Sequence, residues 1–145
     1  MLENYKKHVA ERAEQNIPPL PLDADQTSEL IELLKKDHQE SDFLLNLLKE
    51  RVPAGVDQAA YVKAAFLADI TTGKASSPYI TKIDAVKILG TMLGGYNIQP
   101  LIECLKDNEL AEAAAHVLSR TLLIFDAFNE IFELSKTNEH AKKVV

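Results

Sequence analysis

Cysteine occurs once in these 145 residues, at position 104. A lone thiol excludes a disulfide framework and suits a reducing cytoplasm. Long apolar runs are missing too, and no stretch approaches the roughly 18 residues of a membrane span. The opening M-L-E-N-Y-K-K-H is charged and lacks a signal-peptide core. No segment alternates apolar and polar residues with period two, so nothing reads as a half-buried strand. Positive charge is in deficit: 16 basic against 22 acidic residues leave a formal net charge of −6. Without a basic stripe interleaved with aromatics, direct RNA binding and anionic membrane are both disfavoured. No G-x-S-x-G or similar signature supports a nucleophile triad.

What remains is helical. Five glycines and six prolines punctuate the chain. Leu2 to Gln15 reads as a polar opening helix with Tyr5, Val9 and Ala13 four apart. Asn16 to Asp23, N-I-P-P-L-P-L-D, is too proline-rich for helix and favours an extended segment across the surface. Asp25 or Thr27 is expected to cap a second helix carrying Leu30, Ile31, Leu33 and Leu34. After a charged break, Ser41 and Asp42 lead into a third with Phe43, Leu44, Leu47 and Leu48. Val52-Pro53-Ala54-Gly55 stops it. Asp57 caps a fourth through Ile70, followed by a loop from Thr72 to Tyr79. Thr81 and Asp84 make a box-like start for a fifth, with Ile83, Val86, Leu89 and Leu93 as its stripe.

The stretch M-L-G-G-Y-N-I-Q-P-L-I-E-C-L-K-D, Met92 to Asp107, reads as a helix–turn–helix hinge. Gly94 and Gly95 suit the end of the fifth helix because glycine takes positive φ with little steric penalty. Asn97 is expected to cap the next helix, and Pro100 fits only a first turn. A seventh helix is expected from about Glu109 and an eighth from about Thr121 to Ser135. Leu30-Ile31-Glu32-Leu33-Leu34-Lys35 resembles Leu101-Ile102-Glu103-Cys104-Leu105-Lys106, offset by two units of about 35 residues, the size of one solenoid hairpin. The expected fold is all-α, a HEAT-like superhelical array of about eight antiparallel helices. Residues 1–24 would form the opening helix and proline-rich linker, and residues 25–145 the stacked hairpins of a single domain.

Four words in order, H-V-A-E-R-A, R-V-P-A-G-V-D-Q-A-A-Y-V-K-A, L-G-T-M-L-G-G-Y-N-I-Q-P-L-I and L-S-R-T-L-L-I-F-D, resemble the N-terminal region of bacterial aconitase B. The resemblance covers essentially the whole chain. It implies a HEAT-like domain at the start of a longer multidomain enzyme that interconverts citrate and isocitrate through cis-aconitate. It implies a four-iron four-sulfur cluster held by cysteines elsewhere in that enzyme, with no cofactor in this chain. The implied role is non-catalytic: protein–protein interaction, with the catalytic domains of the parent chain as partner, and shaping of the route to the active site. The alternative is a standalone adaptor or a module that forms a homodimer.

The candidate residues follow from both readings. Gly94, Gly95, Tyr96, Asn97 and Gln99 form a glycine turn before a helix N-terminus, which presents N–H groups to an anion such as a tricarboxylate. The same residues also simply end one helix and start the next. Phe125, Phe128 and Phe132 form an aromatic stripe that packs the core or offers an interface. Cys104 stands where the repeat has Leu33 and reads as a buried small hydrophobe. Glu112 and His116, four apart, share the spacing of two metal ligands and of a surface ion pair. No catalytic or metal residue is expected.

Overall fold

The structure is a computed structural model describing residues 1–120 and 127–145. Among the described residues it is all-α, with one isolated bridge, Ser77 to Ile80, as the only extended pairing. The helices are α1 (Leu2–Glu14), α2 (Ala24–Leu34), α3 (Ser41–Asn46), α4 (Gln58–Thr72), α5 (Lys82–Leu89), α6 (Ile98–Cys104), α7 (Ala111–Leu118), α8 (Phe128–Ser135) and α9 (Glu139–Lys142). Polar side chains cap the starts of α2, α4, α5 and α9, and a left-handed glycine ends α4. Asp57 accepts from the Ala59 N–H at 2.8 Å to start α4. Gly73, at φ +81°, ends it in the left-handed conformation that glycine adopts most easily. At α5, Thr81 and Asp84 exchange reciprocal bonds of 3.1 Å, the expected capping box. Those bonds from Thr81 hold the Asp84 carboxyl below the usual carboxylate range.

Packing is local in sequence. α4 lies against α2 on one side and α5 on the other; α5 meets α6 and α7, and α9 meets α7 and α8. A continuous core runs from Tyr5 to Ala141 and includes Leu30, Leu67, Leu89, Leu101 and Leu118. The repeat words occupy equivalent positions: Leu30, Ile31 and Leu34 are buried, as are Leu101, Ile102 and Leu105. The proline segment is extended as expected, and it is anchored. Leu22 is fully buried, and its N–H donates to the Arg51 carbonyl at 2.8 Å.

Several boundaries differ from expectation. Asp23, not Asp25 or Thr27, caps α2: its carboxylate accepts from the Gln26 N–H at 2.8 Å, and the Gln26 side chain returns a 3.0 Å bond. Thr27 is instead buried, its hydroxyl donating to the Asp23 carbonyl. α3 runs into a widened π turn, Leu47–Arg51, which turns Leu47 and Leu48 inward. α5 ends at Leu89, five residues before the paired glycines, because residues 93 and 94 bond to the 52–57 loop rather than continue the helix. Ile83 and Leu93 consequently leave the expected apolar stripe and are exposed. Asn138 caps α9 through the His140 and Ala141 N–H groups, and its amide donates to the Leu105 carbonyl at 2.9 Å. The start of the expected eighth helix, Leu122 and Phe125 included, lies outside the described residues.

Candidate functional site

The glycine turn is built by close approach to the loop after the π turn. Leu93 and Gly94 both donate to the Ala54 carbonyl, at 2.8 and 3.1 Å. A Cβ at Gly94 would run into the Gly55 carbonyl, so only glycine fits without a shift. Gly95, at φ +93°, carries the left-handed turn. Tyr96 donates its hydroxyl to the Val56 carbonyl at 3.1 Å, and its ring meets Tyr61 edge-on at 5.4 Å.

Asn97 occupies the N-cap position of α6 but does not cap it. Its backbone is in the helical region, so the side chain points back instead. The amide donates to the Leu89 carbonyl at 2.7 Å and the Met92 carbonyl at 3.2 Å, pinning the end of α5. Its Oδ1 is buried without a partner. The Gly95, Tyr96 and Asn97 N–H groups donate to no described residue. Gln99 is exposed and donates to Glu103 and Glu130, both at 3.3 Å.

Beside this turn lies a hollow of about 560 Å³. Gly95, Asn97 and Ile98 line it, with Lys87 and Arg120 supplying cations and His116 an imidazole from α5 and the end of α7. Gly94, Tyr96 and Gln99 are not on its wall. The structure therefore divides the predicted set: two residues face the hollow and three hold the turn or sit on the surface.

The other candidates separate. Phe128 and Phe132 stack with centroids 6.2 Å apart and remain 43% and 44% exposed, while Ile131 beside them is fully buried. Phe125 lies outside the described residues. Cys104 is buried, and burial pushes its thiol pKa up, away from a reactive thiolate. An iron–sulfur cluster needs several thiolates, so this chain's donor set does not fit one. Among the described residues no three His, Cys, Asp or Glu side chains group around a metal position, and Glu112 and His116 line one shallow hollow beside α7.

One residue escaped the sequence reading. Lys63 is 1% exposed in the middle of α4. The signal was available, since Ala59, Lys63, Phe66, Leu67 and Ile70 share one helical face and all are buried. Burial pulls its pKa from 10.5 to about 8, offset in part by Glu50.

Fold and site together define a small all-helical domain with cation-lined hollows. Its only thiol is buried, and no metal cluster forms among the described residues. The chain belongs to the Aconitate B N-terminal domain family, whose model matches residues 4–145. It is 57% identical to Aconitate hydratase B of Escherichia coli and 55% identical to that of Synechocystis sp., in each case over 100% of this chain and 17% of the relative. Aconitate hydratase B of Helicobacter pylori is 47% identical over 99% of the chain. The chain thus spans 17% of the length of these curated relatives.

Proposed function

We propose that the chain serves as a non-catalytic, HEAT-like N-terminal domain of a longer cytoplasmic aconitate hydratase that interconverts citrate and isocitrate through cis-aconitate. Residues 1–24 clamp the start of the array, and residues 25–145 stack as hairpins. The packing of each helix on neighbours one or two elements away supports this reading. The iron–sulfur cluster belongs to the parent's catalytic domains, because one buried cysteine cannot ligate it. Here the domain does two things: it docks on the catalytic domains and it covers one side of the substrate path.

The observation that carries the second role is the hollow at the glycine turn. The Lys87 and Arg120 cations line it with the His116 imidazole, beside the Gly95 and Asn97 N–H groups, which have no acceptor among the described residues; such a setting attracts a tricarboxylate in transit. Docking draws support from Phe128 and Phe132, whose half-exposed rings lie beside a buried Ile131. The test compares turnover and assembly of the full enzyme with and without residues 1–145. A raised KM and altered assembly on deletion are expected, and unchanged kinetics with unchanged assembly remove both roles. Light scattering on residues 1–145 addresses the adaptor alternative: a monomer is expected, and a stable dimer favours self-association.

A further inference from the structure

Four cations from three parts of the chain converge on one cavity. Lys49 and Arg51 come from the π turn, Lys63 from α4 and Lys87 from α5. The hollow measures about 640 Å³, within the size range of small-molecule sites. Among the described residues Glu50 is the only acid on its wall, and no aromatic residue lines it. This local excess of positive charge stands against a chain whose formal charge is −6.

Lys63 sets the cavity apart from an ordinary basic surface. It is 99% buried, lines the hollow and forms no hydrogen bond or ion pair with any described residue. Burial without a hydrogen bond disfavours its charged form, and Glu50 on the same wall offsets this only in part. Val52, Pro53 and Ile88 offer apolar wall, and the proline segment brings few donors or acceptors.

We infer that this cavity binds a small multivalent anion, a phosphate or a polycarboxylate, whose charge is met by the Lys63 ammonium. Four cations against one carboxylate favour a multivalent ligand over a monovalent one. The absence of an aromatic platform removes the stacking surface that a single nucleic-acid strand would use. The inference uses none of the glycine-turn residues and shares only Lys87 and Thr91 with their hollow, so its core, Lys63 with Lys49 and Arg51, stands if the substrate-path reading falls. It also carries a signature. Lys63 loses part of its proton near pH 8 in the empty chain, and a bound anion restores it. Lys49, Glu50, Arg51 and Lys87 face the same hollow and are held constant in the comparison.

Calorimetry on residues 1–145 at fixed ionic strength tests this, with pyrophosphate and propane-1,2,3-tricarboxylate as probes. The unaltered chain should bind one equivalent of at least one probe, and the probe that binds separates phosphate from carboxylate recognition. Lys63→Met should weaken binding by about tenfold or more, since charge-assisted contacts are the strong ones. Lys74→Met removes the same charge from an exposed position and should leave affinity within about twofold. Repeating the titration near pH 8 with the tricarboxylate, whose carboxyls are all ionised there, in buffers of different ionisation heat should reveal proton uptake that Lys63→Met abolishes. No binding at about 10 mM of either probe, equal losses in the two variants, or tricarboxylate binding without proton uptake would each overturn the assignment. The last result decides the matter even if Lys63→Met fails to fold.

Discussion

At Lys63 a charged end is largely withdrawn from water with Glu50 as a partial offset, and its effect on stability has a definite sign. The folded pKa of about 8 lies below the ordinary 10.5. Between those values the unfolded chain holds a proton that the folded chain has released. Stability contributed by this residue therefore rises with pH across that window and is lowest below pH 8. The size is up to roughly 3 kcal/mol. Lys63→Met should raise the unfolding free energy at pH 7 and flatten the rise between pH 8 and 10, measured by urea titration. A less stable variant at pH 7 would mean that the ammonium is already satisfied. The two glycines of the turn make a second contrast. Gly95→Ala forces a side chain into φ +93° and should cost roughly 1–2 kcal/mol. Gly94→Ala drives a methyl into the Gly55 carbonyl and should cost more, about 3 kcal/mol, because backbone cannot move aside as a flexible side chain can. Thermal melts of the pair would reverse the argument if Gly95→Ala proved the more damaging.

Among the elements, α5 depends on its two ends. Thr81→Ala removes the capping box and should cost about 1 kcal/mol at pH 7. The Asp84 carboxyl, held below its ordinary pKa by Thr81, contributes stability above the unfolded carboxylate value. That contribution is lost as pH falls through the lower folded value. Thr81→Ala keeps the backbone N–H that holds this carboxylate, so it is the deficit of Asp84→Ala that should shrink in strong acid, and a deficit independent of pH would exclude the carboxylate's share. At the other end, the Asn97 amide donates to the Met92 carbonyl and adds a second donor to the Leu89 carbonyl, which already accepts from the Met92 N–H. Asn97→Ala leaves the Met92 carbonyl without that donor and should cost about 1–3 kcal/mol by urea unfolding. These ends differ in legibility. Thr81-x-x-Asp84 reads directly because a capping box is local in sequence. The role of Asn97 does not, because its partners are chosen by where the chain has already stopped, at Leu89.

For the whole molecule, the phenylalanine pair is the surface feature that a local reading leaves open. Phe128 and Phe132 pack on each other and on little else, with the Lys136 ammonium 5.4 Å from the Phe132 ring. Replacing both with serine should change the stability of residues 1–145 by no more than about 1 kcal/mol. It should weaken capture of the remaining domains of the parent enzyme in a pull-down. Undiminished capture would move the interface elsewhere. Of the residues on this helical stripe Ile131 is interior while Phe128 and Phe132 are half exposed, because periodicity does not say which flank of an amphipathic helix the next layer covers.

Helix content, most boundaries and the family likeness were settled by the order of residues alone. Caps, proline stops and apolar spacing act over three or four positions and need no distant partner. Which charges meet was decided only by the tertiary structure. Lys49, Arg51, Lys63 and Lys87 lie up to 38 residues apart and share a wall because α4 packs against α5 beside the π turn. The same holds for Gly94 and Gly55, whose backbones touch across 39 residues. Burial and electrostatics depend on distance in space, and a linear pattern encodes that distance only through the fold it produces.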